Sequence, residues 1–111
     1  MRLLANILNS NDASKVKHYA GLPPELTGGK ETRQELAGAS FLVIEENPDG
    51  IFLFRYGVGG DFGGDTWHLN VDDAKHQASY EYGDAVGEWV DVPPEVGDVV
   101  AYGLGRLASA Q

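Results

Sequence analysis

Residues 41–56 read FLVIEENPDGIFLFRY, and this stretch predicts a β-hairpin. Residues 41–46 and 51–56 are rich in β-branched and aromatic residues, which favour strands. Between them, Asn47, Pro48 and Gly50 stand at the positions where a type I turn prefers these residue types. Both strands are apolar on both faces near their middles. We therefore expect them to be central in a sheet that is covered on each side.

The segment after the hairpin predicts a loop, a short strand and a helix. Residues 57–64 are rich in glycine and are interpreted as a mobile connection. They do not match a dinucleotide-binding loop, because Phe62 occupies the place of its third glycine. Residues 65–68 predict a short strand. Asn70 and Gly83 then predict the two ends of a helix over residues 71–82, with Ala74 and Ala78 on its buried side.

The two ends of the chain are harder to interpret. Residues 88–92 alternate polar and apolar types and predict another strand, and the apolar spacing of residues 95–108 predicts a C-terminal helix, with a strand over 98–102 as the alternative. Residues 2–8 fit either a strand or a helix. Short helices are expected over 12–20 and 31–37.

We expect a single α+β domain over residues 1–111. It comprises an N-terminal segment (1–40), a core (41–92) and a C-terminal segment (93–111). The core is an antiparallel sheet with the helix 71–82 packed on one face.

Part of the core resembles a set of small bacterial proteins that have no established activity. The resemblance rests on the sequence Gly-Asp-Thr-Trp-His at 64–68, the Ala-x-x-Gln-Ala pattern at 74–78, Glu-Tyr-Gly at 81–83 and the Glu-Trp pair at 88–89. It covers residues 41–92, about half of the chain. The resemblance implies the same β-hairpin, strand and helix, and it implies no mechanism.

Charge and composition exclude several classes of function. The net charge is −9, and residues 57–111 hold ten acids against only Lys75 and Arg106. A field of this sign repels phosphate backbones, so nucleic acid is not an expected partner, whereas a basic protein is. The chain has no cysteine and no apolar run long enough for a membrane span or a signal peptide. We therefore expect a cytoplasmic protein with no membrane contact and no cofactor.

The same features predict a non-catalytic, acidic protein-binding module. The most specific version of this prediction is an inhibitor or immunity-type protein for a basic partner. Trp67 and Trp89 are most simply interpreted as core residues on adjacent strands. The alternative is an exposed aromatic anchor inside an acidic rim, as at protein-binding hot spots. The residues expected to contact such a partner are Asp61, Phe62, Asp65, Trp67, His68, Tyr80, Asp84 and Glu88.

Two other classes of function compete with this hypothesis. A small metal- or ligand-dependent enzyme would be centred on Asp65, His68, Asp72 and His76, since two imidazoles and two carboxylates suit a divalent ion. In an enzyme without metal, His68 would act as a general base, oriented by Asp65 or Asp72. A homo-oligomeric structural protein is the third class, because the apolar stripe of residues 96–107 could pack on a second copy.

Overall fold

The computed structural model describes residues 1–8 and 38–109, together with the backbone of residues 19–20 and 34–35. Five strands form an antiparallel sheet: β1 (Arg2–Asn6), β4 (Phe41–Asn47), β5 (Gly50–Tyr56), β6 (Phe62–His68) and β7 (Val90–Asp91). Their spatial order is β6-β5-β4-β1-β7. Two short strands, β2 (Tyr19–Ala20) and β3 (Gln34–Glu35), pair with each other. The helices are α1 (Val71–Tyr82), followed by a 3₁₀ turn (Gly83–Ala85), and α2 (Val99–Ser109). The α+β class is confirmed.

Helix α1 packs on one face of the sheet, as predicted. It links β6 at one edge of the sheet to β7 at the other and therefore crosses this face. Ala74 and Ala78 are fully buried, and their small side chains let the helix lie close to the strands. The Asn70 side chain accepts a hydrogen bond from the Asp73 amide at 2.8 Å, and Gly83 ends the helix with a positive φ of 57°. Both predicted ends of this helix are confirmed.

Helix α2 packs on the opposite face, at one end of the sheet. Its Gly103 lies against the ring of Phe41, and its Val100 and Leu104 lie against Gly60 in the loop after β5. Phe41 is paired with Tyr56 on one side and with Asn6 on the other. The helix therefore runs over this row of paired residues. The apolar stripe of residues 96–107 packs against this second core.

The C-terminal helix is confirmed with a later start than predicted. It begins at Val99 rather than at residue 95, because the Asp98 side chain accepts a hydrogen bond from the Ala101 amide at 3.0 Å and caps it. Residues 98–102 are thus not a strand. The strand expected over 88–92 is reduced to Val90–Asp91, which pair with Leu4 and Leu3.

The N-terminal segment resolves one open alternative and contradicts two predictions. Residues 2–6 form a strand that pairs with β4 and β7. The expected helices over 12–20 and 31–37 are wrong where the structure describes them, because Tyr19–Ala20 and Gln34–Glu35 pair as strands. The remaining residues of those two segments lie outside the described residues.

Neither α1 nor α2, the helices of the described ranges, has the length and hydropathy needed to span a membrane.

Candidate functional site

A row of aromatic rings crosses the sheet on the face that carries α2. Alternation along β5 places Phe52, Phe54 and Tyr56 on this side, with ring centroids 5.9 Å and 6.5 Å apart. Tyr56 also stacks on Phe41 at 5.3 Å, and Phe62 meets it edge-on at 6.4 Å. Phe41 is fully buried, whereas Phe52, Phe54 and Tyr56 are partly exposed and Phe62 is 50% exposed. The row thus runs from the core beneath α2 out to solvent.

A β-bulge explains why Phe62 belongs to this row. Phe54 pairs with Asp65 and Tyr56 pairs with Phe62, so β6 contains one residue more than β5 between these two pairs. The extra residue lies at Gly63–Gly64, where Gly64 has a φ of 103° that glycine adopts without strain. Regular alternation would put Phe62 and Asp65 on opposite faces. The bulge puts both on the face of Phe54 and Tyr56.

Trp67 extends the aromatic surface to the hairpin turn. It pairs with Phe52 across β5 and β6, and its side chain is 56% exposed. The indole Nε1 donates to the Asp49 carbonyl at 3.2 Å. The indole also lies over Gly50, where a Cβ would come within 2.2 Å of Nε1. This contact and hydrogen bond hold a large, half-exposed aromatic group in one position, as a binding anchor requires.

Carboxylates surround the aromatic rings. Glu45 pairs with Phe52, and Asp65 pairs with Phe54, so both share the face of the rings. Burial raises the pKa of the Tyr56 phenol above its ordinary 10.0, and the nearby charges of Glu45, Asp65 and Asp98 raise it further. Arg55 is the only lysine or arginine in β4, β5 and β6, and it lies on the other face. Arg2 of β1 pairs with Glu45 on this face, and its guanidinium donates to the Val96 carbonyl at 2.6 Å. We call the eight residues Phe52, Phe54, Tyr56, Phe62, Trp67, Glu45, Asp65 and Asp98 the acidic aromatic face.

The structure brings together three of the residues predicted to contact a partner and separates the others. Phe62, Asp65 and Trp67 lie on the acidic aromatic face, and Asp61 immediately precedes it. His68 lies on the opposite face of β6. Tyr80 is exposed on α1, Asp84 follows α1 in the 3₁₀ turn, and Glu88 precedes β7 at the far edge of the sheet.

The core interpretation of the two tryptophans is wrong for Trp67. Trp67 is on β6 and Trp89 directly precedes β7, and these strands form opposite edges of the sheet. Trp89 is partly buried against the core beneath α1, whereas more than half of Trp67 is exposed. The expectation that both hairpin strands are covered on each side holds for β4 but not for β5, whose Phe52 and Phe54 are only partly buried.

A hydrogen-bonded polar network occupies the other face, between β5, β6 and α1. The fully buried Arg55 donates from Nε to Glu81 Oε1 at 2.9 Å, and Gln77 Nε2 donates to Glu81 Oε2 at 2.7 Å. Arg55 also donates from Nη2 to Thr66 Oγ1 at 3.2 Å. Glu81 can be buried as an anion because the guanidinium and the amide satisfy its oxygens.

The same network ends in a chain of Thr66, His68 and Asp73. His68 is buried, and its Nε2 lies 2.6 Å from Thr66 Oγ1 while its Nδ1 lies 2.9 Å from Asp73 Oδ2. The hydrogen bond with His68 is the largest cause that lowers the pKa of the exposed Asp73 carboxyl. With Nδ1–H donating to Asp73, Nε2 accepts from the Thr66 hydroxyl, and the chain polarises that hydroxyl. The acid that orients His68 is therefore Asp73, not Asp65 or Asp72 as predicted.

The four residues expected to hold a metal are not brought together. Asp65 lies on the opposite face of β6 from His68, whereas Asp72 and His76 are exposed on α1. Across the part of the chain that the structure describes, no three His, Asp or Glu side chains form a group that could hold a metal ion.

Sequence reasoning missed several members of both groups. Phe52 and Phe54 have a visible signal, the alternation Phe-x-Phe-x-Tyr along β5, but the apolar residues between them favour a sheet that is covered on both faces. Asp98 is recognisable only once the start of α2 is known. No local pattern pairs Arg55 with Glu81, which lie 26 residues apart.

Comparison of this chain with protein-family models, with curated proteins and with solved structures finds no match.

Proposed function

We propose that this chain is a non-catalytic protein-binding module whose acidic aromatic face binds a basic surface of another protein. The most specific version of this proposal is an inhibitor or immunity-type protein that blocks a basic enzyme. The absence of cysteine suits a cytoplasmic setting for the interaction.

The observation that carries the proposal is the combination of exposed aromatic rings and carboxylates on one face. Exposed aromatic groups supply large contact area at low entropic cost, and Trp67 and Phe62 stand out with at least half of their surface free. A guanidinium that stacks on such a ring gains a cation–π interaction while its edge reaches a carboxylate. Glu45 and Asp65 lie next to the rings, so an arginine of the partner can make both contacts.

The overall charge supports the same partner class. Ten of the seventeen acids lie in residues 57–111, which contain only two lysine or arginine residues. A field of this strength accelerates the approach of a basic partner, and salt screens it. The association rate is therefore expected to fall as ionic strength rises, while the dissociation rate depends mainly on the aromatic contacts.

The decisive experiment compares two exposed aromatic residues on opposite sides of the sheet. The wild-type chain, Trp67→Ala and Tyr80→Ala are immobilised, and proteins of the source lysate are released with a salt gradient and identified. We expect one basic protein to bind the wild type and Tyr80→Ala, and to lose about 30-fold in affinity for Trp67→Ala, equivalent to about 2 kcal/mol. Equal retention by both variants would refute the proposed face.

A second pair of variants tests the charges. Glu45→Gln/Asp65→Asn removes two carboxylates from the acidic aromatic face, and Asp72→Asn/Asp84→Asn removes two exposed carboxylates elsewhere, with the same change in net charge. The first pair is expected to weaken binding to an arginine-rich peptide and to reduce its salt dependence more than the second. Equal effects would mean that only net charge matters.

A second candidate function, favoured by the chain Asp73–His68–Thr66, is hydrolysis of an activated ester. The Thr66 hydroxyl has a histidine within 2.6 Å as general base, and the Arg55 guanidinium, which donates to the same oxygen at 3.2 Å, stabilises the negative charge that develops there as the proton leaves. Hydrolysis of p-nitrophenyl acetate tests it. Activity that is kept by Thr66→Ser and lost in Thr66→Ala would support this function. Equal rates of hydrolysis by the wild type and the Thr66→Ala variant would exclude it.

A further inference from the structure

The outer edge of β6 has no strand beside it in the part of the chain that the structure describes. β6 (Phe62–His68) ends the strand order of the sheet and pairs there only with β5. No turn or loop of the described ranges forms a backbone hydrogen bond with its seven residues. An edge strand of this length presents a row of N–H and C=O groups that can pair with a further strand. The opposite edge offers much less, since β7 has only two residues.

The bulge in β6 limits where a further strand can pair. It disrupts the ladder at Gly63–Gly64, and bulges are one means by which proteins blunt an edge. From Asp65 to His68 the pairing with β5 is regular, one residue opposite one. Within this stretch Asp65 and Trp67 are exposed, whereas His68 is buried and Thr66 is partly buried. A strand added here therefore meets mainly the side chains of Asp65 and Trp67, on the acidic aromatic face.

The register of the sheet places these two side chains at the ends of cross-strand rows. The first row consists of Glu45, Phe52 and Trp67, and the second of Val43, Phe54 and Asp65. A further strand would add one residue to each row. The residue beside Trp67 would cover part of an indole that is 56% exposed, and the residue beside Asp65 would face a carboxylate.

Asp65 determines the charge that suits such a strand. No lysine, arginine or histidine of the described residues forms an ion pair with it, whereas Glu45 pairs with Arg2 across the sheet. Opposite charges on directly facing residues stabilise a strand pair, and like charges destabilise it. A second copy of this chain is a poor occupant, because it would bring two acidic aromatic faces side by side on chains that each carry a net charge of −9.

We propose that β6 binds an extended, basic segment of the protein partner as a further strand of the five-stranded sheet. This inference rests on the proposed function and specifies how the partner is held. Backbone hydrogen bonds to β6 supply binding that does not depend on sequence, and side chains supply selectivity. An arginine or lysine of the segment faces Asp65, and two residues away a β-branched residue packs against Trp67. Short side chains such as threonine suit the positions that face Thr66 and His68.

A short peptide reproduces this pattern in either strand direction. The peptide Thr-Val-Thr-Arg-Thr-Val-Thr, with acetyl and amide groups at its ends, has the same order of residues from each end. Its arginine can therefore face Asp65 while a valine faces Trp67, whether the strand is parallel or antiparallel to β6. Citrulline in place of the arginine gives a matched neutral peptide. Two further versions carry N-methyl groups on alternate residues, one version for each edge of the peptide.

The test is amide hydrogen exchange of the ¹⁵N-labelled protein with and without each peptide. In the free protein, we expect the outward amides of β6 to exchange rapidly and those bonded to β5 to exchange slowly. At saturation the arginine peptide should slow the outward amides between Asp65 and His68 about tenfold, and only one of the two N-methylated versions should lose this effect. Asp65→Asn and the citrulline peptide should each weaken binding about threefold. Asp72→Asn, the same change at an exposed carboxylate on α1, should not weaken it.

The opposite results would overturn the proposal. Slow exchange of all β6 amides in the free protein would mean that another part of this chain, or a second copy, already covers the edge, and light scattering distinguishes the two. If the arginine peptide slows no amide, or if both N-methylated versions bind equally, no strand is added to β6. Equal weakening by Asp65→Asn and Asp72→Asn would mean that net charge alone favours the basic peptide.

The proposed function and this inference can fail separately. If the basic protein is retained by Tyr80→Ala and weakened by Trp67→Ala while no peptide slows the β6 amides, the acidic aromatic face binds through its side chains alone. In that case the proposed function stands and the added strand does not. If no basic protein is captured by the wild-type chain, the proposed function itself has failed.

Discussion

The ring of Phe41 lies directly beneath Gly103 of α2, so close that a Cβ on Gly103 would come within 2.2 Å of it. Glycine at this position lets the helix approach the sheet, and Phe41 in turn stacks on Tyr56. The position of α2 thus depends on a missing side chain. Gly105, two residues later on the same helix, has no such neighbour.

The two glycines are therefore expected to respond oppositely to substitution by alanine. Gly105→Ala should raise the free energy of unfolding by about 1 kcal/mol, because alanine is the better helix former. Gly103→Ala gains the same propensity but forces Phe41 or the helix to move, at a cost of about 1–3 kcal/mol, and should be neutral to destabilising. Urea denaturation of both variants measures this. Stabilisation by both would mean that the Phe41 contact is not restrictive.

The buried Arg55–Glu81 pair should show strong coupling. Arg55→Met leaves a buried carboxylate without its cation and should lower the free energy of unfolding by about 3–5 kcal/mol. The double variant Arg55→Met/Glu81→Leu removes both charges and should recover a large part of that loss. A double-mutant cycle in urea measures the coupling, with the partly exposed Lys75→Gln as a control. Additive losses would contradict the pairing described for the network.

Tyr56 should make the protein sensitive to alkali. Its pKa is raised in the folded state by burial and by Glu45, Asp65 and Asp98, so the unfolded chain loses this proton first as pH rises. The resulting stability is present below pH 10.0, the ordinary pKa of the phenol, and is lost as pH climbs through the folded-state pKa. Tyr56→Phe should flatten the fall in unfolding free energy above about pH 10. Tyr80→Phe, which removes an exposed phenol from α1, is the matched control.

Asp73 should contribute to acid sensitivity. Its pKa is lowered below the ordinary 3.8, first by the hydrogen bond with His68, so the folded state holds the carboxylate charged to lower pH than the unfolded chain does. The associated stability is present above pH 3.8 and is lost as pH falls through the folded-state pKa. Asp73→Asn should lower stability at neutral pH and reduce the acid-induced loss. Asp72→Asn, its exposed neighbour, should change the acid limb less, and an equal change would count against the hydrogen bond.

Local chemistry allowed the hairpin and α1 to be predicted from sequence. The ends of α1 follow from two residues, Asn70 and Gly83, whose side chain and backbone freedom act within one turn. The start of β6 is not predictable in the same way, because Gly63 and Gly64 have the composition of a loop. Here they form a bulge, and pairing with β5 extends the strand back to Phe62.

The candidate site was only partly predictable, for a related reason. Residue type does not reveal which strand is at an edge of the sheet, and Trp67 is exposed because β6 is an edge strand in the sheet order. The burial of Arg55 and Glu81 depends on their meeting across 26 residues. Such long-range pairing has no local signal, whereas the acidic composition around Trp67 is visible along the chain.

The bulge at Gly63–Gly64 adds one residue to β6 and thereby sets which side chains of this strand share a face. Residue replacements along this strand alter one surface at a time, since Thr66 and His68 serve the polar network while Phe62 and Trp67 serve the acidic aromatic face. Loss of one glycine would remove the extra residue and place Phe62 two positions before Asp65, so regular alternation would keep both side chains on the same face. Chains that diverge from this one by substitution can therefore change partners gradually, whereas a single deletion at this point would straighten β6 and leave both ends of the binding surface in place.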